Sequence, residues 1–303
     1  MDIKDIIKKY IPTKEFINYG YYMNIQKYYQ IAKINDNVNY TKNDDPSIKI
    51  FSANYHNKLY SFDYYKTVDN DNNIIFIKRI NSTIKKNEYS CNYHCAMLSY
   101  YNKDNLFIKI MEYSDDCIKI DNKQNNDIVN GSILIKLIIK FAKINKFKNI
   151  ILDDKSFYTC NKNKNDKIVY ELKYVHTLTK GIPYYNKFGF IFNDTKNQEK
   201  LEYNKNRMNG LMIDNISLDM LIYLIVKIII DKSYQKVYNY NFIQDIYLIM
   251  QLYYKHTNNN SKLMDFFNDL TYNHCHIMAI IHLDLFESLG LQIYNKNEMI
   301  LEL

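Results

Sequence analysis

The chain has 303 residues, 47% of them hydrophobic, which is enough to bury a core and, at this length, to build two domains. Its net charge of +7 is spread over lysines scattered among acids and asparagines. No basic run exceeds Lys8-Lys9 or Lys85-Lys86, which argues against the clustered basic face of a nucleic-acid binder.

Asn, Lys, Ile and Tyr are abundant, whereas there are six glycines, three prolines and only two arginines, Arg79 and Arg207. The abundant residues have AT-rich codons, so the 31 tyrosines record a coding bias rather than a set of base-stacking platforms. Residues 3–33 carry apolar positions such as Ile3, Ile6, Ile7 and Tyr10 at helical spacing, interrupted by Pro12 and Gly20, and read as two short helices. The polar stretch Asn35 to Ser47 reads as a surface loop. Strands are expected at Ile48 to Ser52, Lys58 to Lys66 and Asn73 to Ile80, with the Asp- and Asn-rich Val68 to Asn73 as a hairpin loop. A second hairpin joins Cys95 to Tyr101 with Leu106 to Tyr113, and Cys117 to Asp121 is a further short strand.

From Ser132 to Asn145, Leu134, Leu137, Ile138, Phe141 and Ala142 recur on one face opposite Lys136, Lys140 and Lys143, which predicts an amphipathic helix. Gly131 suits a backbone that turns or is closely approached, and Ser132 suits the helix cap. Lys148 to Leu152 is an apolar run too short for a helix, and predicts a buried central strand ending in Asp153-Asp154. A second helix is expected from about Asp166 to Thr179, stopped by Gly181, and an interior strand at Phe188 to Phe192. Residues 194–210 read as a polar connection, followed by helices at Ser217 to Asp231, Tyr234 to His256, Ser261 to Leu270 and Asn273 to Leu289, with Gly290 as a stop. The end, Leu291 to Tyr294 and Met299 to Leu303, reads as a hairpin or a strand returning to the sheet. The most apolar run, Met220 to Ile230, contains Lys227 and is shorter than the ~20 residues that span a bilayer, so no membrane partner is expected.

Helix, strand, helix, then Ile182-Pro183-Tyr184-Tyr185-Asn186-Lys187-Phe188-Gly189-Phe190 resembles the core of the GNAT superfamily of acyl-CoA-dependent N-acyltransferases. The last stretch is similar to that superfamily's late YxxxGF element. Together with Asp153-Asp154-Lys155-Ser156 and Leu178-Thr179-Lys180-Gly181, the segment is most similar to GNAT-like proteins of large DNA viruses. The resemblance covers roughly the first two thirds of the chain. It implies an α+β fold with a mixed, mostly antiparallel sheet flanked by helices. The expected organisation is an N-terminal helical segment and loop at 1–47, a GNAT-like core at 48–193 and a helical region with the terminal hairpin or returning strand at 194–303. The resemblance also implies acetyl-CoA as co-substrate and a primary amine, on a small molecule or a protein, as acceptor. Tyr185 takes the place of the acid that protonates the departing thiolate.

The superfamily's pyrophosphate loop, (Gln/Arg)xxGx(Gly/Ala), is kept only in part. Asn126 stands at its first position, Val129 at its first glycine and Gly131 at its last. The amides of Asn130, Gly131, Ser132 and Ile133 remain as the expected phosphate cradle at a helix N-terminus. Glu112, at the end of a predicted strand, is the candidate base, with Asp121 second; Asp153 and Asp154 sit where sites of open sheets gather, or cap the next segment. The competing reading is a GNAT fold that has lost acyl-CoA binding and serves as a structural or interaction module, with the C-terminal helical region as a protein-partner surface.

Cys91, His94 and Cys95 supply at most three ligands at a spacing unlike zinc fingers, and His274 and His276 point to different faces of a helix, so no metal is expected. No GxSxG, P-loop, HExxH or intact dinucleotide fingerprint occurs. Five cysteines without a disulfide-like framework, and an opening Met1-Asp2-Ile3-Lys4-Asp5 without an apolar signal region, set the expectation of a reducing intracellular compartment: the cytoplasm, or the host cytoplasm or virion if the chain is viral.

Overall fold

The computed structural model describes residues 48–55, 57–69, 72–80, 94–111, 115–121, 130–163, 166–230 and 242–303. The helices and loop expected in 1–47 lie outside these residues, as do Cys91, Glu112, Asn126 and Val129. The fold class is α+β, as expected, with a mixed, mostly antiparallel sheet and helices concentrated towards the C-terminus. The described residues fall into two compact units, 48–153 with 298–303, and 154–297. The division runs between Asp153 and Asp154.

In the first unit, Lys49–Tyr55 (β1), Lys58–Asp69 (β2), Asn72–Lys78 (β3), His94–Tyr100 (β4) and Asn105–Met111 (β5) form an antiparallel meander in sequential order. Lys119–Ile120 (β6) pairs with Tyr60 and Ser61 of β2. Helix Gly131–Ile144 (α1) then carries the chain to Asn149–Asp153 (β7), which lies parallel to β5. The terminal strand Glu298–Glu302 runs antiparallel to β7, from Glu298 opposite Asp153 to Glu302 opposite Asn149. The tail therefore returns to the sheet, as one of the two readings of it required.

Helix α1 is rich in isoleucine, a modest helix former, so propensity alone does not hold it. Its stability comes from the face Leu134, Ile135, Leu137, Ile138, Phe141 and Ala142, all buried. The Phe141 ring meets Phe51, Phe62 and Tyr64 at centroid distances of 5.3, 6.1 and 5.3 Å. Burying each large side chain of this kind contributes ~1.5–3 kcal/mol, several times any single propensity difference.

The second unit opens with a hairpin of Phe157–Asn163 (β8) and Asp166–Glu171 (β9). Helix Leu172–Lys180 (α2), a 3₁₀ turn Tyr184–Phe188, the short strand Ile191–Phe192 (β10) and helix Thr195–Gly210 (α3) follow. Helices Leu218–Ile230 (α4), Phe242–Asn258 (α5), Leu263–Asn273 (α6) and Cys275–Ser288 (α7) complete it. The core runs along α7, which packs against α2, α4, α6 and β9 and buries Ile277, Met278, Ile281, Leu285 and Phe286.

Three expected secondary-structure elements are corrected here. The helix expected from Asp166 begins only at Leu172, because Ile168, Val169 and Tyr170 are strand formers and pair with β8. The strand expected at Phe188 to Phe192 is confined to Ile191–Phe192, since Phe188 closes the 3₁₀ turn and Gly189 adopts φ 92°, which ends it.

The polar connection 194–210 is helix α3, capped by Asp194, whose side chain accepts from the Lys196 amide at 3.1 Å. Its inward positions Asn197, Leu201, Asn204 and Met208 have helical spacing, but two are asparagines and hide the pattern. Those asparagines act as backbone mimics. Asn204 Nδ2 donates to Gln292 O at 2.9 Å while Gln292 N donates to Asn204 Oδ1 at 2.7 Å, and Asn197 bonds Lys296 O and Asn295 N in the same way, both at 2.9 Å. Asn204→Leu keeps the volume and strands both backbone groups of Gln292, so it is expected to destabilise the protein by ~2 kcal/mol. Urea unfolding checks this; a change under about 0.5 kcal/mol, the range of ordinary surface substitutions, contradicts it.

Four of the five cysteines are paired, Cys95 with Cys117 and Cys160 with Cys275, at Cα separations of 5.7 and 5.9 Å. This corrects the reading of the cysteines as unpaired; partners 22 and 115 residues apart leave no recognisable spacing. Among the described residues, no helix is long and apolar enough to cross a membrane.

Candidate functional site

The chain leaves the C-terminal end of β5 and returns through α1 to start β7 parallel to it, so the N-terminus of α1 lies towards the end where β5 finishes. At that end the sheet is irregular. The β5–β7 pairing runs from Asn105 opposite Asn149 to Ile108 opposite Leu152 and stops, while β5 continues through Met111. The pairing with β4 shifts at the same point: Leu98 opposes Ile108 and Met97 opposes Ile110, so Lys109 is the extra residue of a β-bulge. Such a bulge re-aims backbone groups, and bulges of this kind recur beside sites.

The α1 N-terminus is capped by Asn130, not by Ser132, and Gly131 is the first helical residue rather than a turn residue. Asn130 Oδ1 accepts from Ser132 N at 3.0 Å and Ile133 N at 3.3 Å. Two amides therefore converge on one oxygen at the positive end of a helix dipole, which is the donor set that a phosphate oxygen needs. Ile133 N also donates to Asn130 O at 2.9 Å, so the residues fit an acyl-CoA phosphate on one condition: the Asn130 carboxamide must swing off its cap, which opens Ser132 N in full and leaves Ile133 N shared with Asn130 O. Asp121 is exposed, and its amide donates to Leu59 O at 3.1 Å. Glu112 lies outside the described residues.

In the second unit, the 3₁₀ turn buries Tyr185 to 7% exposure, against Phe190 at a ring distance of 6.0 Å and Tyr184 at 5.3 Å. Asn186 Nδ2 donates to Phe190 O at 2.8 Å and closes the turn. The Tyr185 hydroxyl is in hydrogen-bonding reach of the Ser156 side chain, and burial, with the nearby Asp154 charge second, pushes the phenol well above its ordinary range. Ser156 Oγ donates to Asp154 Oδ1 at 2.7 Å and Ser156 N donates to the same oxygen at 3.4 Å.

Asp154 itself is fully buried, and its Oδ2 has no hydrogen-bond partner among the described residues. Desolvation raises its carboxyl from 3.8 to about 6, against the opposing pull of the Ser156 hydrogen bonds and the Lys173 charge. Lys173 is buried too, paired with Glu171 at 3.0 Å and donating to Asn297 Oδ1 at 2.7 Å.

Comparison with known proteins finds no family model, no curated protein and no solved structure that matches the chain. The expected residues thus gather in two sets, each within one unit: Asn130, Ser132 and Ile133 beside the end of β5, and Tyr185 with Asp154. Asp153, at the end of β7, is exposed and belongs to the first unit. Ser156 escaped the sequence reading as a site residue. The Asp-x-Ser spacing is the available signal, because an aspartate reaches the amide and hydroxyl two residues on.

Three histidines of the two Cys/His clusters have structural partners. His94 hydrogen-bonds the Tyr65 hydroxyl at 2.7 Å, His276 pairs with buried Asp245 at 3.0 Å, and His282 Nδ1 meets Ala279 O at 2.9 Å.

Proposed function

We propose that the chain is an acyl-CoA-dependent N-acyltransferase that transfers an acetyl group from acetyl-CoA to a primary amine by direct attack. The observation that carries this reading is the end of β5. An antiparallel meander, a crossover helix and a parallel strand bring a helix N-terminus, a β-bulge and the end of parallel pairing to one end of one sheet. Acetyl-CoA would supply the acyl group as a thioester. The amides of Ser132 and Ile133 bind phosphate oxygens, and backbone amides around the Lys109 bulge orient and polarise the carbonyl. On the resemblance, Tyr185 returns a proton to sulfur and Glu112 takes one from the amine. A small amine, an amino sugar or a protein lysine meets the chemical requirement for acceptor.

Isothermal calorimetry with acetyl-CoA tests the reading. The wild-type protein is expected to bind, and Asn130→Gly to bind about fivefold more tightly, because the ~1 kcal/mol of a displaced side-chain cap no longer opposes the phosphate. Glycine is itself a tolerated cap and leaves α1 intact. Absence of binding by both proteins at saturating acetyl-CoA contradicts the reading. That outcome favours the second one, a non-catalytic interaction module with its partner surface on the C-terminal helices. The Val129 that replaces a loop glycine, and the Asn130 cap on the required amides, support that second reading.

A further inference from the structure

Behind Tyr185, the hydrogen bond from Ser156 to Asp154 has a direction that depends on a single proton. With Asp154 ionised, Ser156 spends its only hydroxyl proton on Asp154 Oδ1, and the phenol can do no better than donate to Ser156 Oγ. With Asp154 protonated on Oδ1, every bond reverses. Asp154 donates to Ser156 Oγ, Ser156 donates to the phenol oxygen, and the Tyr185 proton is left to point away from the chain. Only the second arrangement presents Tyr185 as an acid.

We propose that Asp154 is the proton reservoir of Tyr185, acting through Ser156, so that these three residues form a relay ending in the phenol. This rests on the N-acyltransferase reading for the identity of the final acceptor. In the step, the Tyr185 O–H bond breaks and its proton passes to the acceptor atom. The Ser156 hydroxyl proton moves to the phenol oxygen, the Asp154 proton moves to Ser156 Oγ, and each oxygen keeps its own electron pair. The sum is one neutral carboxyl and one basic acceptor becoming one carboxylate and one protonated acceptor; water restores the carboxyl proton.

The surroundings of Asp154 suit a reservoir. Among the described residues no donor reaches Oδ2, in a fully buried setting, so the acid form persists towards neutrality. Lys173 from α2 opposes that tendency and Glu171 from β9 reinforces it. Among the described residues the Tyr185 and Tyr294 hydroxyls also lie near it, and the Asn297 carbonyl accepts from Asp154 N at 2.7 Å. A direct phenol–carboxylate bond would hold Tyr185 as a donor to a base. Interposing a serine, which is both donor and acceptor, makes the chain reversible.

The test uses the full chain labelled with 3-fluorotyrosine, the Tyr185 resonance being assigned by its loss in Tyr185→Phe. In the wild type that resonance is expected to move between pH 5 and 8 with a midpoint near 6. The movement should vanish in Asp154→Asn and shrink in Ser156→Ala. In acetyl transfer, both variants are expected to lose at least tenfold in kcat with KM unchanged, the pattern of a lost proton-transfer group rather than of lost binding. A wild-type resonance that stays fixed across this range overturns the relay, and so does wild-type kcat in both variants. If the resonance titrates as described while the wild type transfers no acetyl group, the relay stands and the acyltransferase reading falls.

Discussion

Replacing Cys160 and Cys275 together by serine is expected to lower the stability of the second unit by ~5 kcal/mol, with a fall in its Tm of about 15 °C. The magnitude follows from the loop that this bond closes. Its cysteines are 115 residues apart, and tying them restricts the unfolded chain far more than the folded one, in which their Cα atoms are 5.9 Å apart. The Cys95–Cys117 bond spans only 22 residues and is worth ~3 kcal/mol on the same argument. Full reduction of the wild type should raise the number of titratable thiols by four per chain and lower both transitions. Identical melting with and without reductant, and no rise in thiols, contradicts the pairing.

The second large effect is a stability that depends on pH through one buried side chain. The Asp154 carboxyl titrates near 3.8 when unfolded and at about 6 when folded, so between those values the native state holds a proton that the unfolded state has lost. Its contribution to stability is therefore greatest below about pH 3.8 and declines as pH rises to about 6, by ~3 kcal/mol in all for a shift of this size. Asparagine cannot ionise and keeps the shape of the side chain. The stability difference between Asp154→Asn and the wild type should accordingly move by ~2.4 kcal/mol in favour of the variant from pH 4 to pH 7. Denaturant unfolding at a series of pH values measures this difference, and parallel curves for the two proteins would show that Asp154 is not held in a desolvated site.

Where a buried face repeats regularly, the sequence is a good guide to this fold. Leu134, Leu137, Ile138, Phe141 and Ala142 mark α1 because each is buried, and the hairpin of β4 and β5 is legible from two apolar runs around a polar turn. Reading failed where the inward side chains are polar or the spacing is ambiguous. Asn197 and Asn204 point inward to bond backbone, so α3 looks like a solvated linker. Ile168, Leu172 and Val175 have helical spacing across a junction where a strand becomes a helix.

The candidate site divides along the same line. The α1 N-terminus was visible as a glycine and a serine before an apolar run, but which residue caps it depends on the backbone angles of Asn130, φ −144° and ψ 172°. Tyr185 was visible from its offset to Gly189 and Phe190. Its nearness to Ser156 and Asp154 is tertiary: the loop that carries those two residues and the 3₁₀ turn must both be in place. The disulfides are likewise products of the fold and not of local spacing.

The most direct test of the central claim is a continuous assay of free CoA thiol, with disulfide-intact protein, acetyl-CoA and a panel comprising a small primary amine, an amino sugar and a lysine peptide. The account predicts thiol release that requires one of these amines, matches the amide formed mole for mole, and falls by ~10²-fold or more in Tyr185→Phe. Wild-type protein that releases no thiol above the amine-free background with any member of the panel would contradict it.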